Sequence, residues 1–128
     1  MVINKDNYKV NNAYIFKDIV LNMIIDLENK ELTFNMKDTF SDLGEYALKF
    51  INVLGYNMTS FDFMEDDLSI SDFYINIENK KYEYSLKYEN LDLSNYMEFV
   101  IEFNNDDFIK ILCEKLEIDD RKAIRIAN

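Results

Sequence analysis

A run of carboxylates is the densest group of side chains in this sequence that could do chemistry. Four acids fall within six residues: Asp62, Glu65, Asp66 and Asp67. Such oxygen ligands can hold Ca²⁺ or Mg²⁺, and paired ions can activate water for hydrolysis. The run lacks the alternating acids and the glycine of an EF-hand loop, and no basic residue lies between Lys49 and Lys80. Three interpretations stay open: a solvated loop, a patch that binds a partner protein, or a metal site.

Two further acids, Glu98 and Glu102, lie four residues apart in a segment with alternating apolar residues. One face of this segment is apolar throughout: Met97, Phe99, Ile101 and Phe103. The alternation predicts a half-buried strand over Tyr96–Phe103. The two glutamates lie on its other face, where we expect them to meet solvent and to be available to a partner.

Most other catalytic chemistry is excluded by composition. The chain has no histidine, so histidine triads, histidine metal sites and histidine pH switches are absent. Cys113 is the single cysteine, and with no partner base we expect it to be a small buried apolar residue. No glycine-rich phosphate loop or dinucleotide motif is present. We therefore expect no enzyme activity and no cofactor.

Alternating tyrosines form a second candidate binding feature at Tyr82, Tyr84 and Tyr88. Aromatic rows stack on bases in proteins that bind single-stranded nucleic acid, but those proteins also need a basic groove. Such a groove is missing in this sequence. The row is either cross-strand packing beneath a helix or an aromatic binding surface with an acidic rim.

Two hairpins are predicted to position these residues. In the first, alternating apolar residues surround a two-residue loop at Asn29-Lys30, so that Leu27 faces Leu32, Ile25 faces Phe34 and Met23 faces Met36. In the second, the loop is Asn79-Lys80, and Phe73, Ile75 and Ile77 lie on the apolar face of its first strand. The repeated Ile-x-[Leu/Ile]-Glu-Asn-Lys pattern indicates either a duplicated unit or two hairpins with the same turn chemistry.

Two helices are predicted from apolar stripes with helical spacing. The first stripe is Phe40, Leu43, Ala47, Phe50, Ile51 and Leu54, with Gly55 as its C-cap. The second is Phe108, Ile109, Leu112 and Leu116, with Asp106-Asp107 at its N-terminus. Asp119-Asp120 could begin a short terminal helix.

These elements predict one α+β domain over residues 1–128. Its antiparallel sheet is built from two β-hairpins plus at least one further strand, and two helices pack on one face. Residues 1–12 are expected to be either a short edge strand or a loosely ordered arm, and residues 119–128 either a final turn or a frayed, loosely ordered end. The sequence has no apolar stretch long enough to span a membrane and no signal-peptide pattern, so we expect a cytoplasmic protein.

Charge indicates the class of partner. Twenty-five acids and 14 bases give a net charge of −11. This charge argues against direct binding to nucleic acid or to an anionic membrane. An acidic protein is instead attracted to positively charged clefts, such as those of nucleases.

We therefore predict a non-enzymatic inhibitor that occludes the cleft of a basic, nucleic-acid-handling protein. Its contacts would come from Asp62, Glu65, Asp66, Asp67, Glu98 and Glu102. A toxin immunity protein and a phage-encoded anti-defence inhibitor both fit this physics. The alternatives are a hydrolase that uses a divalent metal at the Asp/Glu cluster, and a structural or oligomeric subunit.

Overall fold

The structure, a computed structural model, describes residues 1–8, 18–39, 42–59, 69–77 and 92–127. Nine strands and one eight-residue helix have bounds within these residues: β1 (Val2–Asn4), β2 (Ile19–Asp26), β3 (Glu31–Lys37), β4 (Glu45–Ile51), β5 (Gly55–Met58), β6 (Ile70–Asn76), β7 (Met97–Phe103), β8 (Phe108–Cys113), β9 (Lys115–Ile118) and α1 (Asp120–Ala127). The described part of the chain is thus almost entirely β-sheet. The predicted α+β fold with two packed helices is wrong.

The strands form two antiparallel sheets. Sheet A has five strands in the order β1-β9-β4-β3-β2, and sheet B has four in the order β5-β8-β7-β6. The inner faces of both sheets supply one apolar core. Phe50 of sheet A lies at its centre, with its ring edge-on to Phe34 at 5.9 Å and to Phe99 of sheet B at 5.5 Å.

Two segments belong to both sheets. β4 pairs with β9 in sheet A, and the continuations of these strands, β5 and β8, pair with each other in sheet B. The ladder continues around this corner, because the Glu114 amide donates to the Ile51 carbonyl at 3.2 Å and the Leu54 amide donates to the Leu112 carbonyl at 2.9 Å. Strands that bend from one sheet into the other in this way form the corners of β-sandwiches.

The described part of the first predicted helix contains strand β4, and its predicted C-cap, Gly55, is the first residue of strand β5. Tyr46, Leu48 and Phe50 are all buried, which is an alternation with the period of a strand. Gly44 has a φ of 80°, a left-handed conformation that the interior of a right-handed helix does not allow.

The second predicted helix is β8 followed by β9. Ile109, Ile111 and Cys113 are fully buried on one face of β8. Leu112 on its opposite face is also only 3% exposed, so apolar residues occur on both faces and imitate helical spacing. Asp106 and Asp107 accordingly belong to the turn between β7 and β8 and do not cap a helix. In this turn the Asp107 amide donates to Asn105 Oδ1 at 3.1 Å.

The first hairpin exists, but its predicted register is wrong by two residues. Asp26 pairs with Glu31 and Ile25 with Leu32, so the loop contains four residues. The Asp26 carboxylate accepts hydrogen bonds from the Asn29 amide at 3.1 Å and from Asn29 Nδ2 at 2.8 Å. This side-chain turn stabilises the longer loop, and it leaves Leu27 83% exposed.

Other strand predictions are confirmed. β7 covers Met97–Phe103 with the expected apolar face buried, and Phe73 and Ile75 of β6 are buried as well. The second half of the second predicted hairpin, and its Asn79-Lys80 loop, lie outside the described residues. In the described part, β6 pairs with β7.

Both ends of the chain contribute to sheet A and its surroundings. Ile3 of β1 is fully buried and pairs with Leu116 of β9. Asp119 Oδ1 accepts the Arg121 amide at 3.0 Å, so this acid caps the start of α1, as the sequence predicts. Among the described residues, no helix has the length and apolar character needed to cross a membrane.

Candidate functional site

Four residues on the outward face of sheet B form what we call the acidic face: Asp72, Tyr74, Glu98 and Glu102. The first two lie on β6 and the glutamates on β7. The antiparallel register places Asp72 directly opposite Glu102. Two of these residues, Glu98 and Glu102, are predicted site residues.

The Asp72–Glu102 pair places like charges at directly opposed positions of a sheet, which is destabilising. Tyr74 lies beside them, and its hydroxyl donates to Glu102 Oε1 at 3.2 Å. Burial and the nearby Glu102 carboxylate raise the pKa of Tyr74, so its hydroxyl remains a donor at neutral pH. The result is a fixed cluster of acceptor oxygens next to an aromatic ring that is 37% exposed.

Glu98 does not have the environment that the strand pattern predicts. It lies on the outward face, yet it is only 1% exposed and interacts with other residues of the chain. A partner cannot reach a buried carboxylate directly. Of the two predicted glutamates, only Glu102 therefore remains at the surface.

The other predicted site residues, Asp62, Glu65, Asp66 and Asp67, lie outside the described residues, as does the tyrosine row at positions 82, 84 and 88. Within the described ranges, no group of three or more acids or cysteines is arranged to hold a metal ion.

Charges on the outward face of sheet A are mixed and partly paired. Lys49 Nζ lies 3.2 Å from Glu31 Oε2, and Lys115 Nζ lies 4.0 Å from Glu117 Oε1. Acids therefore alternate with lysines on this surface, whereas the acidic face places two carboxylates side by side. The negative charge of the described residues is thus distributed unevenly between the outward faces of the two sheets.

A buried ionic network at one end of the sandwich is the feature that sequence reasoning missed. Lys122 Nζ of α1 lies 2.9 Å from Asp18 Oδ2 and 2.8 Å from Asp38 Oδ2. The Asp18 carboxylate also accepts hydrogen bonds from the Tyr46 hydroxyl and from the Thr39 amide. All buried side-chain polar atoms in the described residues have a hydrogen-bond partner.

The network stabilises the protonated forms of Lys122 and Tyr46. Burial opposes the charge on Lys122, but the bonds to Asp38 and Asp18 outweigh it and raise its pKa. Burial and the hydrogen bond to Asp18 raise the pKa of Tyr46 far above its ordinary value. Neither group can act as a base near neutral pH. The arrangement is therefore suited to anchoring α1 against the ends of β3 and β4.

Cys113 is fully buried, as predicted. Burial raises the pKa of its thiol, and its Sγ lies 3.6 Å from the Lys115 carbonyl oxygen. A protonated, inaccessible thiol is a poor nucleophile.

Comparison with known proteins finds a solved structure with a similar fold. No protein-family model matches the chain, and no curated protein matches it either. A solved structure described as the crystal structure of an uncharacterized protein from Neisseria gonorrhoeae is similar to this chain, with a TM-score of 0.53 and 18% sequence identity. The match covers 93% of this chain and 97% of that one. The two proteins therefore share a fold over nearly their whole lengths.

Proposed function

We propose that this protein is a non-enzymatic binding protein that inhibits a basic, nucleic-acid-handling partner by occluding its cleft. The observation that carries the proposal is the opposed Asp72–Glu102 pair on the acidic face. Two adjacent carboxylates that weaken the sheet become favourable when a partner's lysine or arginine lies between them. The exposed ring of Tyr74 adds an apolar contact of a kind that is common at protein interfaces.

The net charge of −11 supports the same proposal at longer range. It speeds encounter with a positively charged cleft and repels nucleic acid, so the protein competes with the nucleic acid for that cleft. A toxin immunity protein and an anti-defence inhibitor encoded by a phage would both act in this way. A cytoplasmic location goes with either role, since nucleases meet their substrates there.

A displacement assay tests the proposal without a known partner. The probe is a Lys/Arg-rich peptide bound to a labelled oligonucleotide, and release of the oligonucleotide is followed by fluorescence anisotropy at low salt. We expect the protein to release it, and we expect the double variant Asp72→Asn/Glu102→Gln to need several-fold more protein for the same effect.

The matched control is Glu45→Gln/Glu117→Gln, which removes the same charge from sheet A. It should lose much less potency than the acidic-face variant. Equal losses of potency in the two variants would show that displacement depends only on the net charge of the protein. If the native protein displaces no oligonucleotide, the proposal is overturned. Loss of the like-charge pair should also raise the urea midpoint of the Asp72→Asn/Glu102→Gln variant, so weaker binding cannot be attributed to unfolding.

A further inference from the structure

A small apolar groove lies at the tip of the first hairpin. Its apolar lining comes from the hairpin end and from the corner between β4 and β5: Ile25, Leu27, Leu32, Val53, Leu54 and Tyr56. The cavity volume is about 130 Å³. An apolar cavity of about 150 Å³ holds a benzene ring, so this slightly smaller groove, which is open to solvent on one side, can take up most of one large apolar side chain.

The walls of the groove are held in place by backbone bonds. The Val53 amide donates to the Lys30 carbonyl at 2.7 Å and joins the corner to the hairpin loop. Lys30 has a φ of 53°, and the Asp26–Asn29 bonds fix the rest of that loop. Because the groove is already formed, little conformational entropy would be lost when a ligand fills it.

Several large apolar side chains at the groove are left in water. Leu27 is 83% exposed and Tyr56 is 41% exposed. Ile25 is 37% exposed. Apolar side chains that adjoin on one surface are typical of interaction sites, and a tyrosine at the edge of a pocket is typical of the residues that dominate binding energy.

Charge decides between the possible occupants. Asp26 borders the groove, and its hydrogen bonds with Asn29 lower its pKa, so it is ionised at neutral pH. Lys30 also lines the groove, Glu28 lies in the same loop, and Glu31 is paired with Lys49, so the charges at the groove still sum to −1. A second copy of the chain and an anionic membrane would both be repelled by the net charge of −11. A basic polypeptide would be attracted.

We propose that the groove receives one large apolar side chain of the basic partner, flanked in that partner by lysine or arginine. This inference rests on the proposed function and adds an apolar anchor to it. The acidic face lies on β6 and β7, whereas Tyr56 lies on β5 at the opposite edge of sheet B. The groove is thus a second contact region, separate from the acidic face.

The test uses two synthetic peptides with the same lysines and arginines, one with a central phenylalanine and one with alanine in that place. Dissociation constants are measured by NMR titration at low and at moderate salt. We expect the native protein to bind the phenylalanine peptide about tenfold more tightly, the order expected for burying one large apolar side chain. Leu27→Asn should abolish this preference and leave binding of the alanine peptide unchanged.

Ile124→Asn is the matched control, because Ile124 is also an exposed apolar residue (62%) but lies on α1. It should retain the preference. If the native protein binds both peptides equally, the anchor is wrong while the proposed function stands. If neither peptide binds, both proposals fail. A native dimer that Leu27→Asn dissociates would assign the groove to a second copy and overturn the anchor.

Discussion

At the scale of single residues, Lys122 bridges two carboxylates from distant parts of the chain. Asp18 precedes β2 and Asp38 follows β3, and both are almost inaccessible to solvent. Separating buried charges from their partners costs about 3–5 kcal/mol. The network therefore acts as a strong tie between α1 and sheet A, even though an apolar substitute could stabilise the same site equally well.

This network predicts a loss of stability at alkaline pH. Folding raises the pKa of Tyr46 and of Lys122 above their ordinary values of 10.0 and 10.5. The folded chain then keeps protons that the unfolded chain releases, so the free energy of unfolding is unaffected below about pH 9 and falls as the pH rises through 10 and beyond. Urea unfolding followed by circular dichroism at a series of pH values measures this slope.

Tyr46→Phe separates the phenol from other alkaline effects. It removes one titrating group and the hydrogen bond to Asp18, so we expect it to cost about 1 kcal/mol at neutral pH and to flatten the alkaline slope. Tyr56→Phe is the control, since this tyrosine is 41% exposed and lies outside the network. If Tyr46→Phe and the native protein have the same slope, the phenol does not contribute.

No local pattern could have predicted the network. Asp18 and Lys122 are more than a hundred residues apart, and each is surrounded by residues that are unremarkable for a surface position. Glu98 is a second feature that a local pattern could not predict. Its alternation with apolar neighbours correctly places it on the outward face of β7, but it does not predict that Glu98 is buried there. The opposition of Asp72 and Glu102 likewise depends on which strands pair, and that is a long-range property.

At the scale of elements, strands were predictable where one face was apolar and the other polar. β7 and the first hairpin meet this condition, and the Asp119 cap of α1 carries its own local chemistry. β4 and β8 do not, because Ala47, Ile51 and Leu112 add apolar residues to their outward faces. Helical and extended spacing then fit equally well, and pairing with distant strands decides the outcome.

Gly44→Ala distinguishes the observed turn from the helix that the sequence pattern predicts. With a φ of 80° and no atom within 4 Å of an added Cβ, the substitution meets no clash but imposes backbone strain. We expect a loss of about 1–2 kcal/mol in the free energy of unfolding. In a helix interior the same change would instead stabilise the protein by about 1 kcal/mol.

Gly44→Asn provides the control, because asparagine tolerates the left-handed conformation better than alanine does. It should be less destabilising than Gly44→Ala in urea unfolding. A stabilising effect of alanine would contradict the turn.

At the scale of the whole molecule, the shared bent strands predict that both sheets unfold together. β4–β5 and β8–β9 cannot leave one sheet without breaking the ladder of the other. We expect the corner amides of Leu54 and Glu114 to exchange with solvent only through global unfolding, at the same free energy as core amides of β3 and β7. Native-state hydrogen exchange by NMR measures this directly.

Turn amides are the internal reference for that experiment. Asn29 and Asp107 donate to side chains in exposed turns and should exchange through local opening at much lower free energy. Distinct free energies for the cores of sheet A and sheet B would show that the sheets are separate cooperative units.

The pairing of β1 with β9 also sets an order for events during synthesis. Val2 pairs with Glu117, so sheet A remains incomplete until the residues of β9 have left the ribosome. Before that moment Ile3 has no strand to pair with, and β4 has only one of its two neighbours, β3. A nascent or truncated chain would therefore expose strand edges that can pair with other chains. The topology thus makes the protection of these strand edges depend on the synthesis of β9.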